Sequence, residues 1–215
     1  MTAVFAAIAL ALLVGGIGLL ARRFAWEPEA ARKASHVAIG TACLTLPWLF
    51  AGVAPVLALA AVACVGLVAL RTVPWLRGRF GVALHGIARR SYGEFAFVGG
   101  VTLAFALAHG DRPAYIAAIL ALSFGDAVAA LVGRRFGRHP YAVGRARKSL
   151  EGSAAFFVVA LAVCAVFPRA ESIAAVAAFA LATTLAEAFV GDGFDNAAIP
   201  LAGLLALRLF GETLA

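Results

Sequence analysis

The stretch "SFGDAVAALVGRRFG", residues 123 to 137, puts the carboxylate of Asp126 into an otherwise apolar helix. A charged side chain at that depth costs roughly 2.5–3.5 kcal/mol on insertion scales unless it faces protein or water. At 3.6 residues per turn, Asp126, Ala130, Gly133 and Gly137 form one stripe along which side chains shrink to nothing. Small residues at this spacing let two helices approach closely. That packing accounts for the glycines and leaves the aspartate uncompensated. Phosphates lying on bare backbone, with Mg²⁺ held by Asp126, account for both, since Mg²⁺ takes one or two carboxylates together with phosphate oxygens.

Two further stretches carry matching chemistry. In "GRARKSLEGSAAF", residues 144 to 156, Lys148 and Glu151 are placed on one helical face, with Ser149 and Gly152 on the next edge. A helix N-terminus beside a lysine and a serine is an anion site. Neither a Walker A loop nor G-x-G-x-x-G occurs. Of the eighteen basic residues only Lys33 and Lys148 are lysine, a compact point charge suited to phosphate. In "RKASHVAIG", Arg32 and Lys33 can bind phosphates, and His36 can orient a phosphate or an acceptor hydroxyl; a snorkelling pair with a capping histidine is the plainer alternative. His85, His109 and His139 receive no role. Cys43, Cys64 and Cys164 sit singly in apolar segments, without metal or disulfide spacing.

The elements that must position these residues are membrane helices. The chain has 215 residues, 64% hydrophobic and 13% charged, with a mean hydropathy of +0.98. Soluble domains are about 45–50% apolar. With roughly 20 residues per crossing, the reading is an all-α, polytopic helical bundle of about eight spans. They are placed at 3–20, 37–52, 53–70, 94–109, 113–132, 153–168, 172–190 and 197–214. Residues 1–215 form one domain, with motifs at 32–36, 89–94, 122–153 and 191–200. The first segment lacks a basic leader region and is read as a retained helix rather than a signal.

Arginines and lysines concentrate in the loops after spans 1, 3 and 5, which the positive-inside rule makes cytoplasmic. Both termini then lie outside, in a cell inner or plasma membrane. The net charge of +7 follows from those loops and from anionic headgroups, not from nucleic acid. Asp126, Glu151, Glu187, Asp192 and Asp195 map to the cytoplasmic side, with Glu94 after "RRSYG". Carboxylates and cations crowded at one interface suit a metal-bound polyphosphate. A salt-bridged loop surface is the plain alternative. An ion-coupled transporter would need midplane carboxylates in both halves of a repeat, and no repeat is visible.

"RKASH", "RRSYGE", "GDAVAALVGRRFGRHPY", "KSLEGSAAF" and "DNAAIP" occur in this order. The set resembles the CTP-dependent isoprenoid-alcohol kinases of the dolichol and phytol kinase family, relatives of the phosphatidate cytidylyltransferases. The resemblance spans about residues 32–200 and is nearest to the short phytol kinase-like members. It implies transfer of the γ-phosphate of CTP, with Mg²⁺, to the hydroxyl of a phytol, geranylgeraniol or polyprenol type of alcohol dissolved in the membrane. It implies catalytic roles for Asp126, Lys148, Glu151, Lys33 and His36. It further implies nucleotide contacts from Arg32, Gly133, Arg134, Gly137, Ser149, Gly152 and Asn196, and Mg²⁺ ligation by Asp126 with Glu151 or Asp195. The cytidylyltransferases carry an added lysine-rich block where this chain reads "GDGFDNAAIP", without a lysine, which favours a kinase. A diacylglycerol kinase and a cytidylyltransferase are the rival enzymes.

Overall fold

The computed structural model describes residues 2–76, 92–108, 110–166 and 172–211. Arg77, Arg79, His85, Arg89, Arg90, His109 and Arg169, with the "RRS" of the 89–94 motif, lie outside the described residues. The elements are α1 (Thr2–Arg23), α2 (Pro28–Cys43), α3 (Leu46–Leu49), α4 (Val53–Thr72), α5 (Gly93–Ala108) and α6 (Arg112–Leu120). A π turn (Ala121–Gly125) leads directly into α7 (Asp126–Phe136). The hairpin strands β1 (Pro140–Val143) and β2 (Ala146–Ser149) follow, then α8 (Leu150–Val166), α9 (Ile173–Phe189) and α10 (Asp195–Phe210).

The protein is mostly helical. Three stretches, Thr2–Arg23, Val53–Thr72 and Arg112–Phe136, are long and apolar enough to cross a membrane. Gly93–Ala108, Leu150–Val166 and Ile173–Phe189 are apolar and shorter. The core lies around α6 and the π turn, where Tyr115, Ile119 and Leu122 pack with Phe156, Phe179 and Ile199. Half of the Arg112–Phe136 window is buried, against 6% of α1's. The central helix is therefore wrapped by its neighbours, and α1 is a peripheral wall.

Three expectations change. The span placed at 37–52 is not one helix. Helix α2 starts at Pro28, whose fixed φ suits a first turn, and stops at Cys43. Pro47 has no N–H for the carbonyl of Cys43. The buried Tyr115 hydroxyl donates to that carbonyl instead, at 2.9 Å. The span placed at 113–132 runs on to Phe136, so Asp126 lies between two and three turns from its end rather than under two.

The third change is the hairpin, since the chain is not purely α-helical. Strands β1 and β2 pair antiparallel, with Tyr141 opposite Lys148. Gly144 turns the chain at φ +57°, and a Cβ there would sit 2.9 Å from Asp192 Oδ2, so the hairpin tip docks on the α9–α10 turn. Lys148 therefore sits on a strand. It does not share a helical face with Glu151.

Candidate functional site

Two polar clusters face one cavity of about 1780 Å³. The first joins α2 to α7. Lys33 and His36 are three residues apart and share a helical face. The Lys33 ammonium forms an ion pair with Asp126 Oδ2. His36 Nε2 lies 3.3 Å from the Leu122 carbonyl and 3.8 Å from Asp126 Oδ2. A carbonyl can only accept, so Nε2 carries the proton. In a π turn the helical bonds run i→i+5, and Leu122 sits in that turn with its oxygen turned toward His36. The Phe97 ring meets the imidazole edge-on at 4.8 Å between centroids. Arg32, on the same helix, makes a two-point pair with Glu29 at 3.0 and 2.6 Å. Burial works against its charge, but Glu29, then Asp126 and Asp195, hold its pKa above the usual arginine value. Both aspartates thus act on one guanidinium.

The second cluster forms where the hairpin meets α9 and α10. Lys148 Nζ lies 3.1 Å from Glu187 Oε1 and 3.1 Å from Asp195 Oδ2. It also donates to the carbonyls of Glu187 and Val190. Burial works against this ammonium, but Asp195 and Glu187 together hold its pKa above the ordinary lysine range. Ser153 Oγ donates to Glu187 Oε2 at 2.9 Å, so its short 2.6 Å contact with Tyr141 has the phenol as donor. Glu187, only 4% exposed, was mapped to this side from sequence but given no role. An acid in the last turn of an apolar helix was the available signal.

The glycine stripe packs helices and also lines the cavity. A Cβ on Gly133 would lie 3.7 Å from Gly152 Cα, and one on Gly152 would lie 2.8 Å from the Ala129 carbonyl. Helices α7 and α8 therefore cross almost backbone to backbone. Ser149 Oγ accepts from Gly152 N at 3.1 Å and satisfies a donor in the first turn of α8. Asn196 Nδ2 donates to the Gly93 carbonyl at 2.9 Å and ties α10 to α5. Pro200 cannot take the Asn196 carbonyl in the helical ladder. That oxygen packs on Gly100, where a Cβ would stand 2.4 Å away.

Arg32, Lys33, His36, Asp126, Gly133, Arg134, Gly137, Lys148, Ser149, Gly152, Asp195 and Asn196 all line the cavity. Arg134 pairs there with Glu27 at 2.7 Å. Glu151 is the exception. Its carboxylate takes the Nδ1 of His139 at 2.7 Å and the His139 backbone N–H at 3.3 Å. Those bonds hold its pKa at about 2. Its position is that of a cap on the hairpin–helix junction, apart from the other candidates. Among the described residues no three His, Cys, Asp or Glu side chains converge on one point. Mg²⁺ keeps waters and phosphate oxygens and needs only one or two carboxylates, so it does not require such a cluster. Of the three carboxylates that the family resemblance marks for Mg²⁺, Asp126 and Asp195 line the cavity and Glu151 does not.

The cavity continues from the charged end into a limb between α1, α2, α4 and α5, lined by Leu10, Ile39, Ala63, Val101 and other apolar residues. A phytol kinase of Synechocystis sp. is 32% identical to this chain over 203 residues, covering 86% of this chain and 82% of the relative. No family model matches the sequence. No solved structure matches it either.

Proposed function

Because this chain belongs to the phytol kinase family and is a phosphotransferase with an alcohol acceptor, we propose that it moves the γ-phosphate of CTP onto the hydroxyl of an isoprenoid alcohol dissolved in the membrane. The observation that carries this reading is the single cavity with a charged end and an apolar limb. The phosphates occupy the charged end, and the hydrocarbon lies in the limb.

The acceptor oxygen bonds to the γ-phosphorus as the bond from that phosphorus to the β,γ-bridging oxygen breaks, leaving CDP, and the hydroxyl proton passes to an aspartate at the charged end. Such a step needs positioning and charge neutralisation more than covalent help. Lys33 and Arg32 exchange their pairing with Asp126 and Glu29 for phosphate oxygens. Lys148, kept protonated by its two acids, supplies fixed positive charge. His36, held by Leu122 and Phe97, orients the acceptor hydroxyl beside Asp126. Mg²⁺ held by Asp126 and Asp195 would neutralise charge on the phosphates. Gly133, Gly137, Arg134, Ser149, Gly152 and Asn196 form the nucleotide-binding wall.

The same reading makes the chain a multi-pass protein of about eight crossings in the cell's inner membrane, with the charged end cytoplasmic and both termini outside. Arginines in alternate loops support it.

The test is transfer by purified protein from γ-labelled CTP or ATP to phytol, geranylgeraniol, a long polyprenol or diacylglycerol, each with and without Mg²⁺. Labelled isoprenoid phosphate formed from CTP with Mg²⁺ is expected. Labelling of diacylglycerol alone, or pyrophosphate release with a phosphorylated lipid, would replace this reading with one of the two rival enzymes.

A further inference from the structure

We infer that the apolar limb measures the acceptor: its floor, made by Cys43, Leu46, Val56 and Leu59, stops the far end of the chain and limits how many isoprene units are phosphorylated efficiently. This rests on the isoprenoid kinase reading. Along α2, the limb runs from His36 at the charged end to Cys43, a rise of about 10 Å at 1.5 Å per residue, and Leu46 lies beyond the break. Along α4 it runs the opposite way, from Leu67 to Val56, a rise of about 16 Å.

Three chain bonds span about 3.8 Å, so an isoprene unit of four main-chain bonds extends about 5 Å. Room therefore exists for roughly three extended units between the hydroxyl site and the floor. The floor is closed on this scale, since Cys43 is 6% exposed, Leu46 4%, Val56 2% and Leu59 6%. It is also fixed. The break before Pro47 brings Leu46 under the limb, and the Tyr115 hydroxyl pins the Cys43 carbonyl that the break releases.

Ala63 faces the limb part-way down α4. A phenylalanine there would fill the path of a longer chain while leaving the upper limb open to a shorter one. Removing side-chain volume at the floor should do the reverse.

The experiment compares kcat/KM for alcohols of two, three, four and more isoprene units in the wild-type protein, Ala63→Phe and Leu46→Ala. The wild type should decline beyond about three units. The four-unit to two-unit ratio should fall about tenfold or more in Ala63→Phe, the scale on which hydrophobic pockets discriminate. In Leu46→Ala the decline should move to longer chains. Unchanged ratios in both variants would overturn the ruler while leaving the kinase reading intact. Absence of transfer to any isoprenoid alcohol by the wild type would overturn both. Should either variant not fold, a three-unit alcohol with a photoreactive group at its far end decides on the wild type alone. Crosslinks at Cys43–Leu59 support the floor, and crosslinks confined to other helices refute it.

Discussion

Lys33 and Asp126 lie 93 residues apart in the chain and form an ion pair whose side chains are only 13% and 14% exposed. Each answers the question the other poses. The aspartate needs a reason to stand in an apolar helix, and the lysine needs a partner where α2 turns inward.

Breaking that pair should separate catalysis from folding. Lys33→Met leaves a carboxylate without its partner in a mostly closed site and should lower stability by about 3–5 kcal/mol. Adding Asp126→Asn should recover much of that loss, as denaturation in mild detergent would reveal. Asp126→Asn alone strands the Lys33 ammonium and should also cost stability. The protein that remains folded should lose about 10²–10³ in turnover, the usual scale for removing one preorganised charge. Normal turnover in that variant would remove Asp126 from the reaction.

Lys148 is held by two carboxylates and two carbonyls, a geometry made for a small ammonium. Arginine presents a planar fork on a longer stem and is not equivalent there. Lys148→Arg should therefore retain the charge and still lose more than about tenfold in kcat, measured with saturating nucleotide. Full activity would show that charge alone matters.

Crowding at the α7–α8 crossing leaves no room for side chains. Gly152→Val should force the helices apart and reduce stability by about 1–3 kcal/mol. Activity should fall as well, because Gly133 and Ser149 on the cavity wall move with the crossing. Thermal unfolding followed by size exclusion would record the first effect, and nucleotide KM the second.

Glu151 gives a pH signature of its own. The His139 contacts, with backbone N–H bonds, depress its pKa from 4.5 to about 2 in the folded protein. A depressed carboxylate adds stability that is present above its unfolded pKa and fades as pH falls through the folded one. That contribution should disappear progressively between about pH 4.5 and 2. Glu151→Gln should flatten this part of the acid profile while leaving the Mg²⁺ requirement unchanged. A shifted Mg²⁺ requirement would return Glu151 to the metal site.

Chelation should abolish transfer, and restored Mg²⁺ should revive it. Asp195→Asn should raise the Mg²⁺ concentration at half-maximal rate, with turnover partly recoverable at high Mg²⁺. An unchanged Mg²⁺ curve would assign Asp195 to holding Lys148 and nothing more.

Helical periodicity made part of this site legible before any coordinates. The stripe from Asp126 to Gly137 follows from 3.6 residues per turn, and all four of its residues face the cavity. Partnerships across the bundle were not legible, because nothing local marks Lys33 as the counter-ion of Asp126. The hairpin was missed for a different reason. Its strands are four residues each, and "PYAVGRARKS" reads as a basic loop, since alternation over so short a stretch carries little signal. That error placed Lys148 on a helix with Glu151, when the strand carries it to Glu187 and Asp195. The broken second span shows the same limit. A proline such as Pro47 interrupts a helical ladder, but only the packed structure supplies Tyr115 to take the abandoned carbonyl.

The π turn at Ala121–Gly125 amounts to one surplus residue accommodated inside a continuous helix. The i→i+5 turn absorbs that residue, so the helix on either side keeps its phase and its seat in the core. Drawing all five residues into an ordinary ladder would instead swing Asp126 by about 100° around the axis, away from Lys33 and His36. Deleting one of the five would leave Asp126 facing them. The aim of this carboxylate therefore depends on one residue being stored in the turn before it.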